Sequence, residues 1–235
     1  MEIHKKRRRR YAAPIGGVFI LIALIGVITI VVGSIGLTTR MLDNSKEKTM
    51  FERLIRPVVM FNPVPFEKAT DLDPTSLLQY SMWATLSGEK GSTFVMGENA
   101  TLTIPASDLD VAASKLLGPE VKLEHKSFGD YLSPYTYDPE TASYYVPVTG
   151  DLFVYSPVVV DIQRDKEFYN LTVGYIPPDT AWTTDFVGNK NARKPDKFST
   201  YVMRKVKNDY QLVAVRDLPS EENTRLLAEY NPDAR

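Results

Sequence analysis

The chain contains no cysteine and only two histidines, His4 and His125. The first absence excludes disulfides, thiol nucleophiles and cysteine-ligated metal centres. The second leaves too few imidazoles for the usual zinc sites, and a Ser-His-Asp hydrolase would have to use His125. No G-x-S-x-G nucleophile elbow and no glycine-rich phosphate loop of the Walker or dinucleotide type occurs. A third absence is local. None of residues 11–39 is Asp, Glu, Lys or Arg.

That uncharged run is what the sequence has most of in one place. An α-helix rises about 1.5 Å per residue, so about 20 residues cross a hydrocarbon core of about 30 Å. The stretch 12–35, rich in Ile, Val, Leu and Phe, is predicted to be a transmembrane helix, with Pro14 in its first turn, where a missing N–H costs little. A cleaved signal peptide is the competing reading. The run exceeds the usual apolar region of about 7–15 residues, and no Ala-x-Ala site closes it. Ala12/Gly16 and Ala13/Gly17 have the small-xxx-small spacing that lets helices approach closely in a bilayer.

The cations before the run then have a role. Lys5, Lys6, Arg7, Arg8, Arg9 and Arg10 form a basic tip (residues 1–11) that belongs on the cytoplasmic side, against anionic headgroups. This places everything after about residue 40 outside the cytoplasm. Residues 1–40 carry net charge +6 and the remainder −7, which together make the formal −1 of the chain. An acidic outer domain is not built to hold nucleic acid, so the expected partners are the lipid bilayer and an envelope protein or cell-wall component. An exported domain without disulfides fits a Gram-positive envelope. Asn99-Ala-Thr and Asn170-Leu-Thr match the glycosylation sequon, which carries no meaning in such a cell.

Residues 36–50 are polar and read as a helical stalk or linker; residues 51–218 read as the extracytoplasmic domain and 219–235 as a polar tail with the pattern of a short frayed helix. Phe51, Leu54, Ile55, Val58 and Val59 have helical spacing, with a break expected at Arg56 because Pro57 follows. MFNPVPF (60–66) should be extended. The segment 72–90 is the clearest soluble helix, with Asp73 as cap, Pro74 at the first helical position, Leu77, Leu78, Met82, Trp83 and Leu86 as its apolar side, and Gly88 as its stop. A short strand is predicted over 98–104 and a second helix over 105–119. From 144 onward the periodicity becomes that of strands: 144–150, 156–162, 168–176, 198–206 and 210–218, the last four forming two antiparallel hairpins.

Helices followed by a strand meander predict an α+β domain in which helices pack on one curved antiparallel sheet. This element order resembles nuclear-transport-factor-2-like and cystatin-like domains. On YAAPIGGVFILIALIGVITIVV, KLLGPEVKLEHKSFG and YDPETASYYVPVTG, the whole chain resembles single-pass membrane proteins of Clostridia-type Gram-positive bacteria. That resemblance implies the topology and assigns no catalytic role.

Candidate chemistry is sparse. Ser81-Met82 is the pair a Ser–Lys membrane protease carries after its anchor, but here it falls inside a predicted helix, and no lysine stands in an apolar setting. The carboxylate pairs Asp108/Asp110, Asp161/Asp165 and Glu221/Glu222 read as a helix start, a hairpin turn and a solvated tail rather than glycosidic acids. His125, in the alternating polar stretch KLEHKSF, reads as a surface or strand-face histidine. Lys190, Arg193, Lys194 and Lys197 form a basic, solvated loop. Tyrosine is the residue type that stands out, and Tyr131, Tyr135, Tyr137, Tyr144 and Tyr145 are the candidate binding surface, for a peptide or glycan. The expected function is a non-catalytic, membrane-anchored binding or scaffold module without cofactor or metal. An envelope enzyme, or an accessory subunit of a membrane signalling or transport complex, is the alternative.

Overall fold

The computed structural model describes residues 45–97, 100–129, 134–147, 154–178 and 194–230. The chain divides into two compact units at Glu47/Lys48, and the second, Lys48–Arg235, is the one described below. The predicted transmembrane helix, the basic tip, Tyr131 and most of the basic loop lie outside the described residues.

The described residues form an α+β domain with four α-helices and two antiparallel four-stranded sheets. Helix α1 covers residues 45–59. It places Phe51, Ile55, Val58 and Val59 in the core with no exposed area. The break expected at Arg56 does not occur. Pro57 comes two residues before the helix ends, so it forfeits one bond, to the Arg53 carbonyl, and its ring is buried instead. The chain turns at Asn62, which takes a left-handed φ of 48°. The following segment is extended, and Phe66 exchanges two main-chain hydrogen bonds of 2.9 Å with Val215.

Helix α2 (Pro74–Ser87) begins as its sequence predicts: Asp73 accepts from the amides of Thr75 and Ser76 at 3.0 Å each, and Pro74 occupies the first turn. It is buried on two sides rather than one. Leu77 and Tyr80 join one core, Leu78 and Met82 the other. Helix α3 (Ala106–Leu117) divides in the same way: Ala106 and Leu109 belong to the second core, Leu116 and Leu117 to the first. It stops at Gly118, whose φ of 111° suits glycine, and an added Cβ there would also lie 2.6 Å from the Glu120 carboxylate.

The larger sheet is a meander of β5 (Ser156–Asp165), β6 (Phe168–Ile176), β7 (Lys197–Val206) and β8 (Asp209–Asp217), in that spatial order. Both predicted hairpins are present, each closed by a two-residue turn whose first residue, Lys166 or Lys207, has φ 56°. Bulges between Val159 and Asp161 and between Val202 and Met203 shift the register, which bends the strands. Inward-facing Leu171, Val173, Tyr201, Met203 and Leu212 pack against α1. The smaller sheet has the order β1 (Thr101–Pro105), β4 (Ser143–Pro147), β3 (Pro134–Asp138), β2 (Phe128–Gly129). The single curved sheet expected from the sequence is therefore two sheets. Strands β2 and β3 were hidden in a tyrosine- and proline-rich stretch that reads as a loop. The tail likewise joins the domain. Helix α4 (Ser220–Glu229) turns Asn223 onto β7, accepting the Phe198 amide at 2.9 Å.

Candidate functional site

The smaller sheet gathers the aromatic residues singled out above and sorts them by strand alternation. Its inward face carries Ile104 opposite Tyr144, and Tyr137 also opposite Tyr144. Phe128 stacks on Tyr135 with centroids 4.7 Å apart, and Tyr137 lies 4.9 Å from Tyr144. Tyr144 has no exposed area and Tyr135 keeps 8%. These two are core residues and, contrary to expectation, take no part in a binding surface. The reason is the period of two along a strand: neighbouring Tyr144 and Tyr145 must point to opposite faces. Tyr137 is half-buried in the same cluster. Of the candidate tyrosines described, only Tyr145 points outward, with 37% exposed.

Around Tyr145 the outward face is a short row. Thr103 on β1 and Thr136 on β3 stand directly opposite it, and both are exposed. One further segment extends the row. Met96 bridges Leu102, with the Gly97 amide donating to the Thr101 carbonyl at 2.7 Å and the Thr103 amide to the Val95 carbonyl at 3.5 Å. This ladder puts Val95 beside Thr103, and Val95 is 76% exposed.

His125 is not the solvated residue that its polar neighbourhood suggests. The segment 121–127 runs extended, with Val121, Leu123 and His125 turned inward and Lys122, Glu124 and Lys126 outward. The imidazole Nδ1 lies 3.0 Å from the Tyr144 hydroxyl, and Nε2 lies 3.3 Å from the Asp110 carboxylate. The ring stacks on Tyr137 at 5.5 Å. Burial pushes the Tyr144 phenol up to about 12, against a hydrogen bond from the Lys126 backbone that pulls it down. The Tyr144 hydroxyl and the Asp110 carboxylate between them give each ring nitrogen a hydrogen-bonding partner. The Tyr–His–Asp chain ties β4, the 121–127 segment and α3 together. Its hydroxyl belongs to a residue with no exposed area, so no substrate atom meets it. No signal in the sequence links residues 110, 125 and 144.

A second group of hydroxyls lies in the larger core. Tyr175 and Tyr201 are both fully buried, and their oxygens are 2.7 Å apart. Burial holds the Tyr201 phenol well above its ordinary value and also raises Tyr175, while hydrogen bonding with Tyr201 and Ser199 opposes the shift at Tyr175. Tyr80 is pushed up to about 12 by burial.

The other sequence candidates separate in space. Ser81 has no exposed area, and its hydroxyl donates to the Leu77 carbonyl at 2.7 Å, so it is not a nucleophile. Asp108 lies in the first turn of α3, as expected of a helix start, and also pairs with Lys90 at 2.7 Å, while Asp110 lies beyond that turn and faces His125. Asp161 accepts from Gln163, and Glu222 lies 3.8 Å from Arg225. Among the described residues no group of three or more acidic or His side chains is disposed to hold a metal ion. No family model, no curated protein and no solved structure matches the chain.

Proposed function

We infer that the chain is a single-pass, membrane-anchored binding module of a bacterial cell envelope, with its N-terminus cytoplasmic and the α+β domain outside. The observation that carries this reading is the uncharged run of residues 11–39 directly behind Lys5–Arg10. Among the described residues, no helix is long and apolar enough to cross a membrane, so the anchoring falls to that run. The domain contributes a binding face. On the outward side of the smaller sheet, Tyr145 stands among Thr103 and Thr136, an aromatic ring flanked by hydroxyls, which suits an envelope protein or a cell-wall component. A non-catalytic role is supported by the arrangement of the polar side chains. Among the described residues, the Tyr144 end of the Tyr144–His125–Asp110 chain is buried away from any substrate, its Asp110 end is a surface carboxylate engaged by His125, and the carboxylate pairs are dispersed. For the domain we retain the nuclear-transport-factor-2-like or cystatin-like order in the α1 and β5–β8 part, with the smaller sheet set between them in the chain.

The test is topological. Protease added to right-side-out vesicles should degrade the chain after residue 40 and leave the basic tip protected. A domain that survives while a cytoplasmic tag is cleaved would reverse the orientation. Extraction of the chain by alkaline carbonate would remove the anchor altogether.

A further inference from the structure

An exposed strand edge carries unpaired N–H and C=O groups and invites another strand, so folded proteins cover their edges. This domain covers parts of its edges with side chains as well as main chain. At the β5 bulge, the Glu52 carboxylate accepts the Val159 amide at 2.9 Å and the Lys48 ammonium donates to the Val160 carbonyl at 2.7 Å. On β8, Phe66 takes both bonds offered by Val215. Where β7 outruns β8, Asn223 accepts the Phe198 amide. Where β3 outruns β2, the Ser127 hydroxyl accepts the Tyr137 amide at 2.9 Å.

The segment 95–97 is treated differently. Its inward bonds come from Gly97 N–H and the Val95 carbonyl, so Met96 forms a non-hydrogen-bonded pair with Leu102 and directs its own N–H and C=O away from the sheet. No charged side chain caps these groups among the described residues. The flanking side chains are apolar and project into solvent, Val95 with 76% and Met96 with 60% exposed.

We propose that this edge pairs with the same edge of a second copy of the chain, antiparallel, about a two-fold axis at Met96. The geometry is self-complementary. One outward N–H and one outward C=O on the same residue satisfy their counterparts in a twin, forming a hydrogen-bonded pair. In that register Val95 stands opposite Gly97 of the other copy, which has no side chain to crowd it, and the two methionines meet on the other face. The ladder is short, well under the roughly 1,200 Å² that a stable dimer in solution buries. The pairing therefore rests on the anchored reading, in which confinement to a membrane raises the local concentration of copies.

The absence of cysteine makes the test direct, since one introduced thiol is the only reporter. The full-length chain carrying Met96→Cys, Val95→Cys or Val64→Cys is expressed, and isolated membranes are oxidised with copper phenanthroline. All three positions are exposed, at 60%, 76% and 78%, so the fold tolerates the changes; unaltered melting of the domain checks this. Opposed residues 96 would have Cα atoms about 5.5 Å apart, inside the disulfide range, whereas residues 95 would be about 8–9 Å apart, outside it. Met96→Cys should give at least about tenfold more disulfide-linked homodimer than either other variant. Equal cross-linking of all three means random collision, and a preference for Val95→Cys means another register; either overturns the proposal. So does an adduct of Met96→Cys with a different protein, which would make the edge a site for a foreign strand, or no adduct at all. Recovery of the chain in the soluble fraction would sink the anchor and not the pairing, which the cross-link pattern there still decides.

Discussion

The Tyr144–His125 contact gives the sharpest quantitative expectation. Replacing His125 by alanine removes a hydrogen bond 3.0 Å long, a ring stacked 5.5 Å from Tyr137, and the partner of a hydroxyl on a fully buried residue. A net hydrogen bond contributes about 0.5–1.5 kcal/mol, and a buried partner left unmet costs about 1–3 kcal/mol. The Asp110 side adds little, because that carboxylate is 55% exposed and a surface pair contributes about 0–1 kcal/mol. His125→Ala should therefore destabilise the domain by about 2–3 kcal/mol and Tyr144→Phe by about 1–2 kcal/mol. The two changes remove one shared interaction, so the double variant should fall short of their sum by about 1 kcal/mol. Urea unfolding of the detergent-solubilised chain, followed by tryptophan fluorescence, measures all three. A solvated histidine would cost less than about 0.5 kcal/mol. If His125→Ala stays within that limit, or if the two effects add without coupling, the contact contributes nothing and the reading of this cluster is wrong.

Hydrogen bonds from Ser76 and Thr75 hold the Asp73 carboxyl below its ordinary 3.8, so its contribution is present above that value and is lost as pH falls through the lower folded one. Asp73→Asn should keep the cap at neutral pH and flatten this part of the acid limb, while Asp73→Ala should cost about 0.5–2 kcal/mol at pH 7; acid-dependent melts of the three proteins decide it. Tyr80 and Tyr144, both raised to about 12, contribute stability that is complete below the ordinary 10 and lost as pH rises through the folded value. Ultraviolet titration should accordingly show a class of tyrosines released only with alkaline unfolding; ionisation of every tyrosine before the domain unfolds would contradict the burial. Glu52→Ala should leave the Val159 amide unmet, costing about 1–3 kcal/mol and promoting association through β5, visible as a urea midpoint shift with concentration-dependent light scattering. Leu78→Ala, at a position with no exposed area, should cost about 2–5 kcal/mol in the same urea assay.

By itself the sequence determined whatever depends on neighbours along the chain. The uncharged run and its basic flank need only residue counting to predict an anchor and its orientation. The cap at Asp73 needs three residues, and the β5–β6 and β7–β8 hairpins need two alternating stretches joined by a tight turn. Tertiary structure alone decided what depends on which surfaces meet. Pro57 stays helical because burial of its ring offsets one lost bond close to the helix end. Helix α2 looks one-sided as a string of letters and is buried on two sides because a second sheet lies there, a sheet half built from β2 and β3, which are short and contain proline and glycine. Tyr144 and Tyr145 are the same residue type one position apart, and only the placement of the core relative to the pleat makes one a buried partner of His125 and the other a surface ring. The separations between Asp110, His125 and Tyr144 along the chain carry no period, so nothing short of the fold could have brought those three side chains together.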